Sequence, residues 1–268
     1  MMRANRVREI WQSGGAVING WCGIPSGFSA EIMAHMGWDS LVVDTQHGIV
    51  GYETMVAMLQ GVSTTAVTPM VRVPWNNPAD VMKALDAGAY GIICPMINSR
   101  AECESFVGAC RYAPRGYRSS GPIRATLYGG ADYHAKANDL VVAMAMIETI
   151  QALENLDAIL STPGLDGIYV GPSDLSITMG HSPGLDRNEE DVLAAYKKIL
   201  AGCKRHGVHP GIHTGSTAYA KRMIEMGFQF VTLLGDARLL TMAGQQVVQE
   251  MRSGAPAKAA ASGGSSTY

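Results

Sequence analysis

The chain has 268 residues, 47% hydrophobic and 16% charged, with a formal net charge of −2. That length buries a full core and is the usual size of one (β/α)8 barrel, and the charge balance excludes the basic footprint of a nucleic-acid or anionic-membrane binder. No apolar run reaches membrane-spanning length, and the N-terminus lacks a signal-peptide core; the five scattered cysteines (Cys22, Cys94, Cys103, Cys110, Cys203) contain no Cys-x-x-Cys pair and favour reduced thiols in a cytoplasm.

In chain order, Arg3 to Ser13 reads as a leading helix stopped by Gly14 and Gly15. A strand over Ala16–Gly23 and a helix over Ser29–Met36 follow, and then the pattern repeats. Strands fall at Ser40–Asp44, Pro69–Val73 and Gly91–Met96, with helices at Tyr52–Val62, Ala79–Asp86 and Arg100–Arg111. A Gly- and Pro-containing segment from Ala113 to Asn138 breaks the rhythm, and a connection that long is usually functional in a compact domain. Next comes an apolar run ending in Glu148, a helix from Ile150 to Ser161, and a second apolar run, Leu165–Gly171, closed by Pro172-Ser173-Asp174. The chain continues with a helix over Glu189–His206, a strand over His209–His213, a helix over Thr217–Met226, a strand over Phe228–Leu234 and a last helix over Ala237–Arg252. Eight alternations of short apolar strand and amphipathic helix predict an α/β fold, a single (β/α)8 TIM barrel spanning residues 1–253. Residues 254–268, rich in Gly, Ala and Ser, read as a disordered tail.

In parallel α/β folds ligands bind at the C-terminal ends of the strands. The polar residues delivered there are Trp21, Asp44 with His47, Arg72, Glu148, and Ser173 with Asp174. Glu148 and Asp174 suit a hard divalent cation, Mg²⁺ or Mn²⁺ with Co²⁺ admissible, while a helix-starting Glu and an N-cap Asp are the structural alternative. Arg72, flanked by Val71 and Val73, is a charge that must be paired or functional. His47 is the natural proton carrier near neutral pH, with Asp44 placed to orient its ring. Such a set fits stabilisation of a carbanion beside a carbonyl, with the cation as Lewis acid. No lysine falls at a strand end for a Schiff base, and no dinucleotide, Walker or Ser-nucleophile motif is present.

Four segments, Val42-Val43-Asp44-Thr45-Gln46-His47-Gly48, Val71-Arg72-Val73-Pro74-Trp75-Asn76-Asn77-Pro78, Ile147-Glu148-Thr149 and Tyr169-Val170-Gly171-Pro172-Ser173-Asp174-Leu175-Ser176, resemble the HpcH/HpaI family of class II pyruvate aldolases. The resemblance covers roughly residues 8 to 250. It implies a barrel whose last helix swaps between subunits of a homo-oligomer, commonly a trimer-based hexamer. It also implies a divalent-metal-dependent lyase that reversibly cleaves a 4-hydroxy-2-oxo acid to pyruvate and an aldehyde. By match of motif, Glu148 and Asp174 correspond to the metal ligands, His47 to the acid/base residue with Asp44 beside it, and Arg72 to the arginine on the oxo group. The amides of Ser173 and Asp174 correspond to the dock for the pyruvate carboxylate, and Asp86 to an aspartate reaching a neighbouring subunit's site. Two positions depart from the family pattern: Met146 where the family has Gln, and His213 where it has an apolar residue. His213 either hydrogen-bonds a polar aldehyde or acid, or caps its strand, and Arg118 or Arg124 is placed to select the far end of the acceptor. Alternatives of other reaction type are a metal-dependent decarboxylase or thioester lyase using the same enolate, and a barrel that binds metal or oxo acid without turnover.

Overall fold

The computed structural model describes residues 3–253. The expected tail at 254–268 lies outside the described residues. Eight parallel strands, β1 (Val17–Cys22), β2 (Ser40–Asp44), β3 (Thr68–Arg72), β4 (Gly91–Cys94), β5 (Val142–Ile147), β6 (Gly167–Val170), β7 (His209–Thr214) and β8 (Phe230–Gly235), pair in sequence order, and β8 pairs back on β1. The expected barrel is therefore closed, with every strand hydrogen-bonded on both sides and no edge exposed.

The helices are α1 (Arg6–Gln12), α2 (Gly27–Ala34), α3 (Tyr52–Val62), α4 (Pro78–Asp86), α5 (Arg100–Cys110), α6 (Ile123–Gly129), α7 (Tyr133–Leu140), α8 (Ile150–Glu154), α9 (Leu156–Leu160), α10 (Pro172–Thr178), α11 (Glu190–His206), α12 (Thr217–Met226) and α13 (Asp236–Ser253). Two differ in kind from the sequence expectation. The Gly- and Pro-containing connection folds into α6 and α7, whose Ala125, Tyr133, Ala137 and Leu140 pack with Tyr90 and Tyr112 in a small core of their own. The single helix expected after β5 is broken at Asn155, whose side-chain amide donates to the Asn98 carbonyl at 2.7 Å.

The strand period of two divides each strand between two cores. On β5, Val142, Met144 and Met146 point into the barrel, while Ala143, Ala145 and Ile147 face the helices. Val42 on β2, Met70 on β3 and Tyr169 on β6 share the inward phase, as Leu41, Val71 and Ile168 share the outward one. Continued to the strand ends, the inward phase reaches Trp21, Asp44, Arg72, Glu148, Gly171 and His213.

At the N-terminal face α1 closes the barrel. Arg8 and the buried Arg111 converge on Asp166 at 2.8 and 2.7 Å, and the Trp11 ring stacks on His209 at 4.2 Å. At the other terminus α13 touches its own barrel mainly through its first turn, where Asp236 accepts from the Gly23 and Ile24 amides at 2.9 and 3.1 Å. Beyond that turn its apolar Leu240, Val247, Val248 and Met251 are exposed.

Candidate active site

The inward phase delivers its polar residues to one cavity of about 430 Å³ at the C-terminal ends of the strands, lined by His47, Arg72, Met146, Glu148, Tyr169, Ser173, Asp174, Leu185 and His213 among others. Of the residues named from sequence, the structure brings His47, Arg72, Glu148, Ser173, Asp174 and His213 together here.

Asp44 is buried just below. Its carboxylate accepts from Arg72 through Nε at 2.9 Å and Nη2 at 2.6 Å, and from Trp21 Nε1 at 3.1 Å. Burial raises its pKa, but the hydrogen bonds and charge of Arg72 outweigh that and hold it below the ordinary carboxylate value. The same carboxylate accepts from the backbone amides of Gln46 and His47. Asp44 thus fixes the His47 loop by its main chain, and no hydrogen bond to the His47 ring accompanies this; the expected ring-orienting contact is replaced by an arginine clamp. The loop is tight enough to require glycine at its end, since a Cβ on Gly48 would lie 2.2 Å from the Asp44 carbonyl oxygen. Trp21 supports Arg72 from below, with the guanidinium carbon 4.8 Å from the ring centroid.

Glu148 is 2% exposed, and its Oε1 accepts from the Met96 amide at 2.8 Å. Met96 adopts φ 55, a left-handed conformation uncommon outside glycine, which turns that amide toward the carboxylate. Burial, reinforced by the nearby negative charge of Asp174, pushes Glu148 up to about 7 against the Met96 hydrogen bond. Oε2 accepts no hydrogen bond among the described residues, and a Cβ on Gly171 would lie 2.4 Å from it. Glycine at 171 therefore keeps the space beside Oε2 clear. Asp174, exposed in the first turn of α10, lines the same cavity, and its charge is close enough to act on Glu148.

The structure adds Tyr169 to the residues named from sequence. Its phenol meets His213 Nδ1 at 2.9 Å within the cavity. Burial, with help from the Arg72 charge, lowers His213 to about 4, so the imidazole is neutral at pH 7.

Trp21, expected to bind substrate, and Asp44 lie beneath the cavity and not in its lining, and three further candidates are away from it. Arg124 donates to the Ala87 carbonyl and to Ser63 Oγ, which follow α4 and α3 at the N-terminal face of the barrel. Arg118 is buried, pairs with Asp86 at 2.7 Å and stacks on Tyr112. Asp86 ends α4 on that same face. Neither arginine contacts the acceptor side of this chain's own pocket, because the connection carrying them packs beneath the barrel as α6 and α7.

A family model described as HpcH/HpaI aldolase/citrate lyase matches residues 21–242. The chain belongs to this family. It is 41% identical over 248 residues to a hydroxypyruvate/pyruvate aldolase of Rhizorhabdus wittichii, covering 92% of this chain and 99% of that one. It is 35% identical to a 4-hydroxy-2-oxo-heptane-1,7-dioate aldolase of Klebsiella pneumoniae, covering 88% and 89%. Among solved structures, an HpcH/HpaI aldolase/citrate lyase family protein from Burkholderia cenocepacia superposes with a TM-score of 0.85 at 30% identity, covering 92% and 98%. The family and the barrel read from the motifs are those of these proteins, and the carbon–carbon lyase class expected is the class of these relatives.

Proposed function

We propose that this HpcH/HpaI member is a divalent-metal-dependent aldolase that reversibly cleaves a 4-hydroxy-2-oxo acid to pyruvate and an aldehyde. The observation that carries the reading is the convergence of Glu148, Asp174, Arg72 and His47 on one cavity. The donor set fits a hard cation. Two carboxylates line the same cavity, Gly171 keeps the space beside Glu148 Oε2 clear, and the burial that raises Glu148 is the cost a divalent cation would offset. Among the described residues no group of three or more His, Cys, Asp or Glu stands ready for a metal, so water and substrate oxygens would complete the shell around Glu148 and Asp174. Mg²⁺ or Mn²⁺, with Co²⁺ as a further ion, suits that all-oxygen shell. When bound, the cation supplies Lewis acidity toward the 2-oxo acid.

The chain's own residues account for the remaining steps. Arg72, held in a bidentate clamp by Asp44, directs its charge at the oxygen that becomes an enolate. The amides of Ser173 and Asp174 dock the carboxylate. His47, exposed at the cavity mouth, takes the 4-hydroxyl proton directly or through water. The C3–C4 bond breaks, its electron pair passes to the pyruvate enolate, the aldehyde leaves, and protonation at C3 releases pyruvate.

Glu148→Ala and Asp174→Ala are each expected to abolish metal binding in calorimetry and turnover together. Full activity in excess EDTA would overturn the reading. Oxaloacetate decarboxylation without aldol activity across an aldehyde panel would reassign the enolate chemistry to a decarboxylase. The buried, unpaired state of all five cysteines supports a reducing cytoplasm, and among the described residues no helix is long and apolar enough to cross a membrane. The exposed apolar face of α13 supports a homo-oligomer in which that helix docks on a second copy, in line with a trimer-based hexamer.

A further inference from the structure

Inside the barrel a file of buried polar side chains runs from the wall to the cavity. Ser40 Oγ donates to Asn19 Oδ1 at 2.7 Å, and Asn19 Nδ2 donates to Thr232 Oγ1 at 3.0 Å. Ser40, Asn19 and Thr232 are each fully buried, so each hydrogen bond is costly to leave unmade. An amide nitrogen can only donate, so Thr232 Oγ accepts there and keeps its own proton. Thr232 neighbours the Tyr169 phenol. Burial pushes the phenol far up, so it stays protonated, and the Thr232 hydrogen bond acts on it in the opposite sense.

The Tyr169 hydroxyl lies 2.9 Å from His213 Nδ1, and a protonated phenol can donate there to a neutral imidazole. The neutral ring then carries its proton on Nε2, which makes no hydrogen bond among the described residues. Trp21 lies edge-on to His213 at 5.1 Å between ring centroids and holds the ring in place. The direction is fixed from Ser40 through Asn19 to Thr232, and with Tyr169 as donor to Nδ1 the neutral ring presents an Nε2–H donor at the cavity.

We infer that His213, oriented by Tyr169, is a specificity-determining residue that donates a hydrogen bond from Nε2 to a hydroxyl oxygen of the substrate, favouring hydroxylated partners over their deoxy analogues. The inference rests on the aldolase reading. A hydroxyl reaches this donor from either of two sources, the 2-oxo acid (3-hydroxypyruvate in place of pyruvate) or the aldehyde (glycolaldehyde in place of acetaldehyde). A neutral donor suits a neutral hydroxyl, whereas the charge of Arg72 serves the enolate. Tyr169 is a positioning residue and acts through the imidazole.

The test measures kcat/KM of the metal-loaded enzyme for the four combinations of those two acids and two aldehydes. His213→Phe is expected to lower the hydroxylated-to-deoxy ratio about tenfold for one source, in keeping with the loss of one neutral hydrogen bond. His213→Gln, which keeps a neutral N–H donor, is expected to recover part of that ratio. Tyr169→Phe is expected to lower the ratio through KM for the hydroxylated partner. The source whose ratio moves identifies which reactant carries the hydroxyl. Ratios unchanged in both arms in an active His213→Phe enzyme would overturn the inference. Absence of turnover by the unmutated enzyme with all four pairs would instead overturn the aldolase reading.

Discussion

At the scale of single residues, the site is made by strand phase. Trp21, Asp44, Arg72 and Glu148 were legible because a polar side chain interrupts an apolar strand end, and Tyr169 was not, because a tyrosine in Gly-Ile-Tyr-Val reads as apolar filler. The signal that finds it is its register: it shares the inward phase with Gly167 and Gly171. Gly171 itself invites a test. Gly171→Ala places a Cβ 2.4 Å from Glu148 Oε2, so the variant is expected to fold, lose at least tenfold in metal affinity by calorimetry, and lose turnover in parallel. Wild-type affinity in the folded variant would show that the clearance is not needed. His213 has a pH consequence. Its folded pKa of about 4 lies below the unfolded value of about 6.5, so between these values the unfolded chain binds the extra proton. Stability on this account is complete above pH 6.5 and is lost as pH falls toward 4, by on the order of 2–3 kcal/mol. The groups acting on it are Arg72, which lowers its pKa, and Asp44 and Asp186, which raise it more weakly, with Tyr169 hydrogen-bonded to its ring. Glu148, raised to about 7, acts in the opposite sense over an overlapping window, so the test is the difference from the parent. In urea unfolding His213→Phe is expected to gain stability relative to the parent as pH falls from 6.5 to 4. Asp44, whose folded pKa is depressed, acts in a lower window, below its unfolded value of about 3.9, so the two effects separate.

At the scale of elements, the strands and most helices follow from apolar periodicity, and the boundaries shift by at most three residues, the largest at the start of α1. The connection after α5 departs from its loop-like sequence for a physical reason. Gly116, Gly121, Pro122, Gly129 and Gly130 are loop signals, yet Gly116 and Gly129 are glycines of close packing. A Cβ on Gly116 would lie 2.3 Å from the Gly108 carbonyl oxygen, and one on Gly129 2.7 Å from the Tyr133 ring. A sequence does not distinguish a glycine that frees the backbone from one that lets two elements meet. The same reasoning predicts an effect at the α2–α3 contact. There a Cβ on Gly61 would lie 2.4 Å from the Gly27 carbonyl oxygen, which is backbone and cannot rotate away. Gly61→Ala is expected to destabilise by about 1–3 kcal/mol through forced separation of the helices, despite alanine's better helix propensity. A rise in Tm would refute this. Beneath the barrel, Arg8 and Arg111 both depend on Asp166. Asp166→Ala leaves the buried Arg111 without its counter-charge and is expected to cost about 3–5 kcal/mol in denaturant unfolding, more than removal of an exposed pair such as Arg100–Glu104.

At the scale of the whole molecule, one chain holds a cavity and, at the opposite end of its barrel, the residue that motif match assigns to a neighbour's site. Asp86 ends α4 on the N-terminal face and reaches Arg118 at 2.7 Å, so it serves a cavity only if that cavity belongs to another copy. Likewise α13 leaves its own barrel with Leu240 68% and Met251 81% exposed, an apolar surface that a free monomer would leave in water. On the proposed homo-oligomeric aldolase, function would be shared between copies, which a complementation experiment reads directly. Asp86→Ala and Glu148→Ala are each expected to be nearly inactive alone. Mixed and allowed to exchange subunits, they are expected to regain activity, because some interfaces then pair an intact Glu148 cavity with an intact Asp86. Light scattering of a Leu240→Glu, Val247→Glu double variant is expected to show a smaller assembly than the parent, with the helical circular-dichroism signal retained. An active Asp86→Ala enzyme, or no recovery in a mixture shown to have exchanged, would confine the chemistry to a single chain. A parent that is monomeric by light scattering would leave the α13 surface without its partner. Recovery together with dissociation would mean that α13 holds copies in place so that each completes the other's site.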